Sequence, residues 1–287
     1  MKIGIVGNGF VGSSVAYGFS AQTGFDAEIK IYDKDKKKST HSLEDVINNS
    51  DFVFVSVPTP SNKDHSINID IVDDIFFQMN FLSKNIETIF LLRSTVTPGT
   101  SRRVQKNCPN LKIVFNPEFL TERSAKFDFI NQSRFILGGE IKNTEKVANL
   151  FRQRFGFATP VIQTDYETAE MIKYMNNCFF ATKVTFLNEM RQIADQSNVD
   201  WETAVEGFVR DGRVGHSHIS VPGPDGHYGF GGSCFPKDMR AMISYAKSLG
   251  IEPMVLESAW NKNLEVREDR NWLKMPGRAI TSEESSD

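Results

Sequence analysis

Lys2-Ile3-Gly4-Ile5-Val6-Gly7-Asn8-Gly9-Phe10-Val11-Gly12 is the stretch that decides the fold. Its first five residues read as a short apolar strand, which runs directly into G-x-G-x-x-G, and residues 13–21 then read as a helix. In that context Gly7 makes a tight turn, Gly9 leaves the backbone open to a pyrophosphate, and Gly12 lets the helix pack closely. The helix start presents free N–H groups and a positive dipole end to the phosphates. A second apolar strand, 28–32, ends at Asp33, 21 residues beyond Gly12, where a carboxylate accepts hydrogen bonds from an adenosine ribose. The expected dinucleotide contacts are therefore Gly7, Gly9, Phe10, Val11, Gly12 and Asp33. Asp33 would repel a 2′-phosphate, so NAD is expected over NADP. The neighbouring Lys34, Lys36, Lys37 and Lys38 read as a solvated loop, with a 2′-phosphate site as the alternative.

Outward from this stretch, apolar strands at 51–57, 88–92, 111–115, 134–137 and 160–163 alternate with helical stretches at 69–82 and 144–155. That alternation predicts a parallel sheet with helices on both faces. The pattern changes near Thr164. Residues 166–196 hold no glycine or proline, and Met171, Ile172, Met175, Phe179, Phe186, Met190 and Ile193 recur at helical spacing, with Thr182 as the polar gap. Further helices are expected at 201–209, 237–249 and 254–268. The expected architecture is α/β: an N-terminal Rossmann-type doubly wound parallel sheet over 1–164, then an all-α region with a long connecting helix over 165–280. Residues 281–287, Thr-Ser-Glu-Glu-Ser-Ser-Asp, read as a disordered tail.

Composition narrows the partners. Among 287 residues, 33 Lys and Arg nearly balance 36 Asp and Glu, which argues against nucleic acid or an anionic membrane as partner. Three cysteines with no C-x-x-C pair point to a reducing, cytoplasmic setting without a disulfide framework. The chain enters a strand at once, so no signal peptide is expected. It holds no apolar run near the ~20 residues of a membrane helix.

Candidate chemistry gathers at strand ends, where ligands of open α/β sheets bind. The third strand is followed by Pro58-Thr59-Pro60, the fourth by Arg93-Ser94-Thr95-Val96, and the fifth by Asn116-Pro117-Glu118-Phe119-Leu120-Thr121-Glu122. Glu118 and Glu122 would share a face if that segment were helical. On the long helix Lys173 and Asn177 are also four apart, either as an oxyanion clamp or with Lys173 snorkelling from the core. Toward the other end lies Gly229-Phe230-Gly231-Gly232-Ser233-Cys234-Phe235-Pro236-Lys237-Asp238. Glycines that let backbone approach a ligand, a thiol, then a cation and a carboxylate are the parts of an activated nucleophile. The alternative is a buried cysteine near a turn. His216 and His218 lack further ligands at suitable spacing, so no metal is expected.

From Lys2 to Arg278 the chain resembles the UDP-glucose/GDP-mannose dehydrogenases. The resemblance rests on the first glycine motif, Val57-Pro58-Thr59, Ser94-Thr95-Val96, Asn116-Pro117-Glu118-Phe119-Leu120, Lys173 with Asn177, and residues 229–238. It implies a four-electron oxidation of a sugar C6 alcohol to a carboxylate with two NAD, UDP-glucose giving UDP-glucuronate. Cys234 would form a thiohemiacetal and then a thioester. Glu118 would be the general acid/base, Thr95 and Asp238 would position water, and Lys173 and Asn177 would stabilise the oxyanion. Thr59, Thr95 and Glu122 match positions near the cofactor. Glu118, Phe119, Leu120, Lys173, Asn177, Arg213, Phe230, Gly231 and Cys234 fall on the substrate side. The resemblance also implies a homodimer through the long helix. Two departures stand out. The Gly/Pro-rich loop between Val214 and Tyr228, expected to wrap the sugar nucleotide, lacks the lysine that some members place there. The chain also stops where typical members continue into a second nucleotide-binding domain, so it reads as a short form. The alternatives are a non-catalytic or partner-dependent NAD- and nucleotide-sugar-binding protein, or a dehydrogenase for another nucleotide sugar.

Overall fold

The structure, a computed structural model, describes residues 1–281. The expected disordered tail at 281–287 lies outside the described residues except for Thr281. The chain forms two compact units. The first comprises Met1–Thr59 with Ile69–Lys173, and the second comprises Pro60–Asn68 with Tyr174–Asp287.

The first unit is built on a seven-stranded sheet of β1 (Lys2–Val6), β2 (Glu28–Tyr32), β3 (Phe52–Val55), β4 (Ile89–Leu92), β5 (Lys112–Phe115), β6 (Phe135–Gly139) and β7 (Val161–Thr164). Their order is β2-β1-β3-β4-β5-β6-β7. The first five are parallel, in the register Ile3↔Phe52, Phe52↔Ile89 and Ile89↔Lys112. β6 turns antiparallel to β5, and β7 runs with β6. The expected doubly wound parallel sheet is present, with one antiparallel pair, β5 and β6. Alternation alone does not encode strand direction: the short path through residues 116–134 brings the chain back without a crossover.

Both faces of the sheet are covered, which is why its strands are apolar throughout. α2 (Leu43–Asn48), α3 (Asp70–Leu82), α4 (Thr100–Asn107) and Tyr166 and Ala169 lie on one side, packed on Val53, Phe90, Leu92 and Ile113. α1 (Phe10–Gly18), α5 (Ala125–Ile130) and α6 (Ile141–Phe155) lie on the other, packed on Ile3, Phe54, Leu91 and Val114. Phe135 and Phe151 meet there at 4.3 Å between ring centroids. α1 begins at Phe10 rather than at the expected Ser13, so the third glycine of the motif lies within its first turn.

α7 (Tyr166–Gln196) spans the expected long helix. Asp165 starts it, accepting from Thr168 N at 2.8 Å. Its first two turns belong to the first unit and the remainder to the second, so the division falls at Lys173/Tyr174 rather than between 164 and 165. The burial of Tyr166 and Ala169 against the sheet accounts for the difference.

The second unit adds α8 (Trp201–Val209), α9 (Phe235–Ser248), α10 (Met254–Val266) and a 3-10 turn at Asn271–Lys274. Asp200 caps α8 by accepting from Thr203 N. Leu187, Ala194, Trp201 and Val221 form one apolar cluster. The strap Pro60–Asn68, expected in the Rossmann-type domain, belongs here instead. Ser61 N donates to Ala279 O at 3.0 Å, and Thr281 N donates to Ser61 O at 3.0 Å. His65 on the same strap pairs with Arg240 of α9.

Candidate active site

In the first unit the glycine loop lies between β1 and α1. Gly7 has φ +89°, the left-handed turn that glycine adopts without strain. A Cβ at Gly12 would overlap the Gly7 carbonyl, whereas nothing lies within 4 Å of one at Gly9. The loop therefore stays open at Gly9, beside the N-terminus of α1, as a pyrophosphate requires. The Asp33 carboxylate accepts from Asn8 N at 2.6 Å and from Asp35 N at 2.8 Å. It thus ties the end of β2 to the glycine loop. These residues fit a dinucleotide.

The strand-end loops are stitched together. Thr59 Oγ1 donates to Thr95 O at 2.9 Å, and Ser94 Oγ donates to Val57 O at 2.7 Å. Arg93 is fully buried and donates to the Asn116 carboxamide oxygen. Burial pushes its guanidinium down to about 10, with Glu118 opposing. Asn116 in turn donates to Ile136 O at 2.9 Å, fixing the loop that carries Glu118.

That loop has no helix or strand through Thr121 and only then forms a short 3-10 turn, Glu122–Ser124. The conditional shared face for Glu118 and Glu122 does not form: Glu118 is buried and Glu122 exposed. Glu118 meets Lys173 instead. Lys173 Nζ lies 3.1 Å from Glu118 Oε1 and 2.5 Å from its backbone oxygen, while Leu120 N donates to Oε2 at 2.7 Å. Their side chains are 3% and 9% exposed, so this is a buried ion pair, and the snorkelling alternative for Lys173 is excluded. The Lys173 ammonium also lies 5.3 Å from the Phe119 ring centroid. Leu120 is buried in the sheet's apolar core.

In the second unit Cys234 stands at the N-cap of α9, with Pro236 in the first turn. Cys234 is partly exposed, whereas Cys108 and Cys178 are buried. Burial pushes both of those thiols up. The expected cation beside the thiol is otherwise engaged: Lys237 Nζ lies 2.5 Å from Asp238 Oδ1, in a pair 8% and 2% exposed. Asn177 Nδ2 donates to the other Asp238 oxygen at 2.5 Å. Cys234 also stands at the start of α9, whose positive dipole end favours an anionic sulfur. A helix cap is a backbone feature that the residues Lys237 and Asp238 do not advertise. Ser233 Oγ lies 3.7 Å from Sγ.

Two residues expected on the substrate side have partners within the protein. Phe230 is buried, its ring 6.1 Å from Trp260 and 6.2 Å from Phe235, so its side chain serves the core of this unit. Arg213 is exposed and held by Asp211, with Nε 2.9 Å from Oδ1. Its guanidinium holds the Asp211 carboxyl below the usual range. The loop that carries Arg213 is gripped by Lys183, whose Nζ donates to Gly215 O at 2.9 Å and Ser217 O at 2.7 Å. Sequence reasoning named Arg93 at a strand end but not its buried bond to Asn116, and it missed Lys183 and a set of asparagines beneath residues 229–232. For Asn263 and Asn271 the available signal was the cluster of amides in 261–271, which carries no spacing rule of its own.

No helix among the described residues is long and apolar enough to cross a membrane, and no cluster of metal-ligating side chains lies among them. A mostly parallel sheet with a glycine loop opening α1, followed by a helical unit, defines a dinucleotide-binding protein. Residues 30–155 match the NAD-binding domain of the UDP-glucose/GDP-mannose dehydrogenase family, and residues 167–265 match its central domain. The chain belongs to that family, and NAD is its cofactor. It is 29% identical to the UDP-glucose 6-dehydrogenase AglM of Haloferax volcanii over 92% of this chain and 69% of that protein. It is 32% identical to the UDP-glucose 6-dehydrogenase YwqF of Bacillus subtilis over 77% of this chain, spanning 50% of that relative's length. A UDP-glucose dehydrogenase structure from Pyrobaculum islandicum superposes with a TM-score of 0.80 at 25% identity, covering 92% of this chain and 68% of that one.

Proposed function

We propose that the chain catalyses the NAD-dependent four-electron oxidation of a nucleotide-sugar C6 alcohol to the carboxylate, with UDP-glucose as substrate. The observation that carries this reading is Cys234: of three cysteines it alone is partly exposed, and it stands at a helix start. Binding a dinucleotide requires no such thiol.

NAD supplies the hydride acceptor for each of the two oxidations. In the first, Glu118 takes the C6 hydroxyl proton as hydride leaves C6, giving the aldehyde. Cys234 Sγ then adds to that carbon, and its oxygen takes up negative charge, for which Lys173 and Asn177 are the assigned donors. Loss of the second hydride converts this thiohemiacetal to a thioester. Thr95 and Asp238 orient the water that attacks the thioester carbonyl, and Sγ departs as thiolate. The buried Glu118–Lys173 pair supports assigning these two roles to neighbouring side chains. Thr59, Thr95 and Glu122 are assigned to the cofactor. Phe119, Leu120, Arg213 and Gly231 are assigned to the substrate.

The assembly proposed is a homodimer through α7. Met175, Phe179, Phe186 and Ile193 are exposed along it, and beside Phe186 a groove of about 430 Å³ is lined by Met254 and Val255 of α10. The three unpaired cysteines support a cytoplasmic location.

The test is NADH release across a panel of nucleotide sugars. Two NADH per UDP-glucose are expected, with loss of that stoichiometry in Cys234→Ala. A folded, NAD-binding chain with no turnover on any nucleotide sugar would instead establish a binding protein.

A further inference from the structure

The glycine-rich loop before Cys234 was expected to approach a ligand. What it approaches is the protein's own side chains. Gly229 N donates to Asn188 Oδ1 of α7 at 3.0 Å. Phe230 N donates to Asn263 Oδ1 of α10 at 2.6 Å, and Asn263 Nδ2 returns a bond to Phe230 O at 3.0 Å. Gly232 N donates to Asn271 Oδ1 at 2.9 Å, from the 3-10 turn beyond α10. Beneath Gly231 lies the guanidinium of Arg267, whose side chain is 0% exposed and which a Cβ on residue 231 would overlap. Arg267 is itself held by Asp225 Oδ2 and Asp269 O, each at 2.8 Å.

We propose that Asn188, Asn263, Asn271 and Arg267 are positioning residues that fix the backbone of 229–232 and so set Cys234 Sγ at the start of α9 before any ligand arrives. A loop that cradles phosphate points its N–H groups at the ligand. Here three of four successive N–H groups are taken by carboxamides from three separate elements, two of them, Asn188 and Asn263, nearly or fully buried. Their function is placement, because a nucleophile held by a rigid supporting shell avoids the ordering cost at reaction. Glycine is required at 231 by the arginine below it, whose guanidinium a Cβ would overlap.

The inference rests on Cys234 being the nucleophile, and its test reads the thiol without turnover. Iodoacetamide alkylation is followed across pH in the intact chain. Cys108 and Cys178 are buried, so the signal belongs to Cys234. The wild-type midpoint is expected below the ~8.5 of a free cysteine. In Asn263→Leu and Asn271→Ala it should rise by about half a unit, the scale of a helix-terminus interaction, with cooperative melting retained. Asn271 sits half-buried at the edge of the cradle, so its variant keeps the test open should Asn263→Leu fail to fold. A depressed wild-type midpoint that stays put in the folded variants overturns the positioning role and leaves the nucleophile intact. A wild-type midpoint at the free-cysteine value removes the nucleophile reading and this inference with it.

Discussion

Lys173 has its ammonium against one carboxylate, and both groups are out of water. Removing one partner of such a pair leaves an uncompensated buried charge, which costs about 3–5 kcal/mol, more than the intact pair contributes. Lys173→Met should therefore lower unfolding stability by about that amount, while Glu118→Gln with Lys173→Met should recover most of it. Denaturant melts of the two singles and the double measure the coupling, and additive losses would show the charges to be independent. If Lys173 also steadies the oxyanion, kcat in the single variant should fall by ~10²–10³. At this scale the residue types were legible: Glu118 at a strand end, Lys173 and Asn177 one turn apart, Cys234 and Asp238 after glycines. Their pairings were not. Asp238 faces both Lys237 and Asn177, and adjacency in sequence does not say which cation meets which carboxylate.

At the scale of elements, Glu170 joins two helices. From α7 its carboxylate accepts from Gly99 N at 2.6 Å and Ser101 N at 2.7 Å, capping the start of α4. Burial outweighs those bonds and pushes the carboxyl up to about 7. A folded pKa above the unfolded 4.5 means the folded state holds its proton longer. This group's stabilisation is then complete below pH 4.5, falls as pH rises toward 7, and levels off above. Glu170→Gln should remove on the order of 3 kcal/mol of that decline between pH 4.5 and 7. Stability profiles of the two proteins test it, and parallel profiles would refute the assignment. The long strands and helices could be read from periodicity, and α7 and α8 fall on their expected bounds. α2, α4 and α5 could not. Each has six to eight residues, and α4 buries one aliphatic side chain, Val104, among Arg102, Arg103 and Lys106. A single turn or two offers too few repeats for a period to show.

For the whole molecule, the exposed row on α7 calls for cover. Met175 and Phe179 are each 63% exposed, an arrangement that marks interfaces more often than free surface. The solution mass should be that of a dimer, and Phe179→Asp with Phe186→Asp should yield a folded monomer by light scattering. A monomeric wild-type chain would remove the proposal. The two-unit organisation was legible as a change from alternating strands to unbroken helix. The strap at Pro60–Asn68 was not, because Ser61 finds its partners more than 200 residues away, at Ala279 and Thr281. That separation sets an order in time. On a ribosome adding about 5–20 residues per second, the strap emerges roughly 10–40 s before the segment it pairs with. The first unit's sheet can close in that interval with a short loop left hanging from it, and the strap's hydrogen bonds wait until Ala279 and Thr281 have been made.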